Sequence, residues 1–228
     1  MKNFLAGAVV ATVVGLSFGA ANAATIIDGS TQGYYNASIG TALDETNAFG
    51  GNFMFPKADV AGGDPSLDIP AANEPDLSAA SAALGSWLTT PATPGGSWSA
   101  GPVAIPAAWA VNTETAIIYV IDAGTTGLTN VLASFGVDNG LFVWLNGTFL
   151  GGHLRPGGVT AGEFQLTLGD LAAGTNYLQI LREDHGGSTG YSVLVTGEPS
   201  AVPLPAAGWL LMAGVGGLAA MRRRRKAA

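Results

Sequence analysis

Cysteine is absent from this 228-residue chain, which excludes disulfides, thiolate metal sites and cysteine nucleophiles. Charge is scarce too: 11% of residues are charged, against about 25% in ordinary soluble domains. Basic side chains are scarcest, with nine Lys and Arg against 16 Asp and Glu, for a formal net charge of −7. Phosphate binding relies on Lys and Arg, so the balance argues against a nucleic-acid partner. Histidine occurs twice, as His153 and His185, so a three-histidine metal centre cannot be built. What is plentiful is apolar, 48% of the chain, and it is concentrated at the two ends.

Met1 to Ala23 has the plan of a secretory signal peptide. Lys2 supplies the positive start and an apolar run extends from Phe4 to Phe18. Ala21-Asn22-Ala23 then has the small-x-small cleavage pattern, so Sec export and signal peptidase should leave Ala24 as the first mature residue. At the other end, Ala206 to Met221 runs 16 residues without a charge. As a helix that spans about 24 Å, against a bilayer core of about 30 Å. Val202-Pro203-Leu204-Pro205 lengthens it, and Arg222, Arg223, Arg224, Arg225 and Lys226 follow at once. Positive charge stays on the cytoplasmic side, so this transmembrane helix would stop transfer with the folded part outside. The alternatives are an uncleaved amino-terminal anchor and an ordinary single-pass carboxy-terminal anchor.

The order of proline motif, apolar helix and arginine cluster resembles the PEP-CTERM class of sorting tails, in its VPLPA variant. The residues that carry the likeness are Val202, Pro203, Leu204, Pro205 and Ala206, then Trp209-Leu210-Leu211 and the basic run 222–226. The resemblance covers about the last 27 residues. It implies processing by an exosortase, a membrane cysteine transpeptidase of Gram-negative bacteria. An inner-membrane intermediate would then be delivered to the cell surface or extracellular matrix. The class is tied to exopolysaccharide and biofilms, which makes extracellular polysaccharide an expected partner.

The segment between the ends is far more acidic than the whole. Its only basic residues are Lys57, Arg155 and Arg182, and all 16 acidic residues lie within it, so 3 − 16 gives −13. Such a surface repels acidic polymers unless divalent cations bridge them. The segment changes character midway. Pro56 to Pro106 holds eight of the twelve prolines, which argues for an irregular connection with short strands near Trp87 and Trp98.

Strand signals flank that stretch. Thr25–Ile27, Tyr34–Ile39 and Asn52–Phe55 precede it. After it come Thr115–Asp122 and an alternating run through Val131, Ala133, Phe135 and Val137. Asp138-Asn139-Gly140 is expected as a turn before Leu141–Leu145, and Asn146-Gly147 as a type I′ hairpin turn. Phe164–Leu168, Tyr177–Asp184 and Tyr191–Thr196 complete an all-β, antiparallel β-sandwich. The landmarks Ile105-Pro106-Ala-Ala-Trp109, Phe135-Gly-Val-Asp138, Val143-Trp-Leu-Asn-Gly147 and Gly174-Thr-Asn-Tyr-Leu178 resemble the galactose-binding-like jelly roll, over roughly residues 85–197. The expected organisation is a signal peptide over 1–23, a sandwich over 24–198 with a Pro/Ala/Asp-rich loop region at 56–84, and a sorting signal over 199–228.

Little chemistry emerges from the motifs. Gly15-Leu16-Ser17-Phe18-Gly19 has the nucleophile-elbow pattern but lies inside the signal peptide. Glu183 and Asp184 are adjacent at a strand end; if the strand continues through them, they point to opposite faces and cannot share a sugar between them. No catalytic residue is expected. Arg182, Asp184, His185, His153, Arg155 and Trp144 could together bind a glycan, with planar polar groups for hydroxyls and an indole face for the ring. The alternative is that Arg182 pairs internally with an acid and Trp144 is core. Asp59, Asp64, Asp68 and Asp76 offer hard oxygen ligands for Ca²⁺ on a flexible loop, without EF-hand spacing; a solvated acidic loop is the alternative, and no other cofactor is expected. Asn36-Ala-Ser38 and Asn146-Gly-Thr148 match the glycosylation sequon, and Asn146 already has a turn role. The expected function is a non-catalytic surface or matrix protein contacting polysaccharide. The alternatives are a purely structural surface protein and a secreted glycoside hydrolase.

Overall fold

Alternating apolar residues and Gly-rich turns do produce an all-β architecture. The structure, a computed structural model, describes residues 23–57, 65–200, 213–217 and 222. Its strands are β1 (Ala24–Ile27), β2 (Gln32–Gly40), β3 (Thr46–Phe49), β4 (Asn52–Phe55), β5 (Leu67–Pro70), β6 (Val103–Ala104), β7 (Glu114–Asp122), β8 (Leu128–Leu145), β9 (Thr148–Arg155), β10 (Phe164–Leu171), β11 (Thr175–Glu183) and β12 (Gly190–Pro199). A short helix, α1 (Ser81–Leu84), follows a 3-10 turn, and residues 213–217 are also helical.

Ten strands form one antiparallel hydrogen-bonded sheet that folds over on itself at β8, giving a sandwich of two layers. The first part of β8 pairs with β12 and β10, and β1 joins β12. The second part pairs with β11 and β9, and β7, β2, β6 and β5 extend that layer. Between the layers lies the first core, with Phe135, Val193 and Val195 meeting Ile117, Tyr119, Val143 and Ile180.

The second layer is covered on its other face as well. Ala116, Ile118, Phe142, Trp144 and Leu181 pack there against Leu43, Met54, Phe55, Leu84 and Trp87. A sheet buried on both faces has near-continuous apolar strands, which explains the unbroken Ala116-Ile-Ile-Tyr run. The segment through β3 and β4 and the Pro-rich stretch after it together form a cap that seals the sheet. No strand forms at Trp87 or Trp98. Their rings stack instead with centroids 5.8 Å apart, and Trp98 Nε1 donates to the Leu84 carbonyl at 3.0 Å.

The Asn146-Gly147 turn forms as expected, with positive φ at both residues (50° and 78°). Asp138-Asn139-Gly140 is a correction: it lies inside β8. Gly140 serves close packing, because a Cβ there would meet Leu154 Cδ2 at 2.4 Å and Glu183 Oε2 at 2.6 Å.

Ala24 opens β1 and pairs with Gly197 near the end of β12. Both ends of the sandwich thus leave from one pole. The opposite pole holds the start of β12, where Gly190 pairs with Asp138, and the end of β11. The signal peptide up to Asn22, Asp59, Asp64, the motif 202–206, most of the 206–221 span and the basic residues 223–226 lie outside the described residues. Among the described residues, no helix is long and apolar enough to cross a membrane.

Candidate functional site

The pole remote from the chain ends concentrates buried polar groups. β11 pairs with β7 up to Arg182 opposite Thr115, and one step further brings Glu183 alongside Glu114. Alternation sends Arg182 toward the first core and Glu183 toward the capped face.

Arg182 is completely buried. Its guanidinium carbon lies 4.2 Å from the Trp109 ring centre, 4.9 Å from Tyr191 and 5.5 Å from Tyr35. Nε donates to Thr115 Oγ1 at 3.0 Å and Nη1 to the Pro106 carbonyl at 2.8 Å. Burial lowers its pKa, and the surrounding tyrosines oppose that shift. An aromatic cage, not an internal acid, thus holds this cation in the described structure.

Glu114 faces the other way and is also fully buried; neither carboxyl oxygen has a hydrogen-bond partner. Burial, reinforced by the charges of Asp44, Glu183 and Asp184, pushes its pKa up to about 9. It is therefore a neutral acid at pH 7. Glu183 Oε1 lies 2.5 Å from His185 Nδ1, with both side chains inaccessible to solvent. Asp184 Oδ2 accepts from the backbone N–H groups of Asn112 at 2.6 Å and Gly186 at 3.3 Å. Burial nevertheless raises its pKa to about 6.

The remaining candidates have local structural partners. His153 is buried; its ring stacks on Phe164 with centroids 4.7 Å apart, and its Nδ1 lies 2.6 Å from Asp68 Oδ1. Burial depresses the His153 pKa, against the hydrogen bond to Asp68, so the ring is neutral at pH 7. Trp144 is fully buried and donates from Nε1 to Glu74 Oε1 at 2.7 Å. Arg155 is half-buried and donates to Ser66 Oγ at 2.6 Å.

Of the predicted glycan-binding set, Arg155 alone reaches the surface. Trp144, His153, Arg182, Asp184 and His185 are each at most 1% exposed, so no saccharide can lie against them. Sequence reasoning named Arg182, Asp184 and His185 as one polar cluster, which the structure divides among different partners, and missed Glu114, which shares the capped face with Ala116 and Ile118. The two carboxyls that approach each other, Glu114 and Glu183, are 0% exposed, which denies a glycosidic bond access to them. Of the calcium candidates, Asp68 belongs to β5 and bonds His153, while Asp76 Oδ1 accepts from the Ser78 backbone N–H at 2.9 Å. Among the described residues, no cluster of three or more His, Asp or Glu side chains is arranged to hold a metal ion.

One open feature lies beside the His153–Asp68 pair. A cleft of about 630 Å³ runs between β5, β9 and β10, lined by Phe49, Leu67, Leu150, Phe164 and Leu166, with Asp68 among its lining residues. No protein-family model matches the chain, and no curated protein resembles it significantly. The class that the fold defines is the antiparallel β-sandwich.

Proposed function

We propose that this protein is exported, processed by an exosortase and displayed at the cell surface or in the extracellular matrix, where its sandwich is a non-catalytic structural module. The observation that carries this reading is the terminal order of Val202–Ala206 motif, uncharged span and basic run 222–226. The fold supports it in one respect. β1 starts at Ala24 and pairs beside the end of β12, so both address segments leave one pole and can be removed without unpicking the cores. The burial of Arg182 and Trp144 favours a structural role over a sugar site built from those residues. Mass spectrometry of the surface-located protein tests the reading. The expected mature form begins at Ala24 and lacks Arg222–Lys226; an intact basic tail at the surface overturns it.

A second reading, contact with extracellular polysaccharide, is favoured by the cleft along β5, β9 and β10. Phe49 and Phe164 can face the C–H surface of a sugar ring there, with the Asp68 carboxylate at hand for hydroxyls. A glycan array on the processed protein decides it, and absence of binding retires it.

A further inference from the structure

The second layer of the sandwich is sealed by the cap; the outer face of the β1–β12–β8–β10 layer is overlain by the Thr160–Gly162 loop at Gly136 and Ser192 but stays open around Leu132 and Leu194. Leu132 on β8 and Leu194 on β12 stand 36% and 44% exposed. The register sets Leu194 opposite Ser134 and Gln165 opposite Ser134, with Thr167 opposite Leu132. Ser192 continues the same face, and Val159 adds an exposed apolar group (44%) where it packs over Gly190 at the far end. The centre of this grid carries no charge. Acidic groups enter at its two margins: Glu163, whose Oε1 accepts from the Val137 backbone N–H at 2.9 Å, at one end, and at the other Asp170 and Glu198, which accept from the Asn130 backbone N–H and side chain.

We propose that this face is where two copies of the chain pack against each other; the inference rests on the surface display proposed above. The partner is a second copy for two reasons. The first is charge. A segment of net charge −13 with three basic residues, one of them the buried Arg182, has almost nothing with which to build ion pairs between copies. Like-charged surfaces repel, so two copies can approach only through a face without charge. Leu132 and Leu194 then form the apolar centre, and Ser134, Ser192, Gln165 and Thr167 the hydrogen-bonding rim. A basic partner would be drawn to the acidic surfaces instead.

The second reason is where the chain ends lie. Both leave from the pole at which Ala24 pairs with Gly197. The strands run from that pole to the other, so copies held at one surface by that pole stand upright with this face turned sideways. Two such copies can meet face to face about a two-fold axis along the surface normal, the closed arrangement that a self-complementary patch forms. Screening removes the residual repulsion, so salt strengthens the contact.

Sedimentation of the processed, full-length mature protein tests the proposal. Wild type should pass from monomer to dimer as concentration or salt rises. Leu194→Glu combined with Leu132→Glu should remain monomeric at concentrations tenfold higher, with the wild-type melting temperature. Val103→Glu, at an exposed position on β6, should dimerise like wild type. If the leucine variant melts early, Ser134→Glu with Thr167→Glu serves as the replacement and should also stay monomeric. A wild type that is monomeric throughout, or a dimer that survives the charge substitutions, overturns the proposal. So does a monomeric wild type whose binding to a neutral polysaccharide is abolished by Leu194→Glu. Failure here leaves the tail-cleavage result untouched, and an intact tail leaves sedimentation untouched, so the two readings fail separately.

Discussion

The Arg182 guanidinium lies over the indole of Trp109, 4.2 Å from the ring centre, and both residues sit beneath the loops at the pole remote from the chain ends. This contact ties β11 to the segment that enters β7. Trp109 is itself fixed by Nε1 donating to the Thr113 carbonyl at 2.8 Å. Arg182→Ala strips the cage of its cation and leaves Thr115 Oγ1 and the Pro106 carbonyl without their donor. A loss of about 3 kcal/mol is expected, in the range for breaking a buried charged network. Urea unfolding at pH 7 measures it; a loss below about 0.5 kcal/mol, the size of an ordinary surface change, would show that the cage is dispensable.

Glu114 makes stability fall with rising pH. Its folded pKa, about 9, lies above the ordinary carboxyl value of 4.5, so the folded state keeps a proton that the unfolded chain has released. Its contribution is fully present below pH 4.5 and is lost progressively up to about 9, with a slope of about 1.4 kcal/mol per pH unit. Asp184, raised to about 6, acts with the same sign at lower pH. Above about pH 7.5, beyond the range in which Asp184 and the unfolded chain's His153 titrate, the slope up to 9 reads Glu114. Glu114→Gln should flatten it and stabilise the protein above pH 7. Parallel stability curves for the two proteins would remove this account.

Asp68 anchors β5 to the sandwich through His153. Asp68→Ala leaves His153 Nδ1 buried without its partner, beside an Nε2 that already has none. The expected cost is about 1–3 kcal/mol. The Phe164 stack on the ring face should persist, so the change should loosen β5 without unfolding β9. Hydrogen exchange reads the difference: faster exchange confined to the cap and β5 is expected, and uniform acceleration across the sheet would contradict it.

Gly147 joins the hairpin to the cap. Its φ is +78°, and a Cβ there would lie 2.2 Å from the Leu88 carbonyl oxygen. Its N–H donates to Gln179 Oε1 at 2.8 Å. Gly147→Ala combines backbone strain with a clash against backbone that cannot simply swing aside, so a loss of about 2–4 kcal/mol is expected. Thermal melting checks it. A loss of only about 1 kcal/mol, the strain of a positive φ alone, would mean that the cap does not press on the hairpin.

Much of the fold was legible because a strand's side-chain alternation is local. Val131, Ala133, Phe135 and Val137 identify their buried face without knowing what covers it, and Asn146-Gly147 demands the only turn its dihedrals permit. Asp138-Asn139-Gly140 misled because the same residues that suit a turn also suit a strand pressed by bulky neighbours. Nothing near Gly140 in sequence announces Leu154 or Glu183. The cap misled for a related reason: proline excludes central strands, but it does not keep a chain from laying Ile69, Leu84 and Trp87 onto a sheet.

The sequence by itself determined the chemistry that was available. It set the absence of thiols, the shortage of cations, the acidity of the segment between the ends and the strand pattern, because composition and alternation need no partner residues. Only the tertiary structure decided what the few polar groups do. Arg182, Glu183 and Asp184 are neighbours in the chain, yet one enters an aromatic cage, the next faces Glu114 on the capped side, and the third bonds backbone N–H groups. Their fate turned on burial, because removing a charge from water is tolerable only where distant side chains neutralise, hydrogen-bond or stack against it. Those distant partners are what a linear sequence does not display.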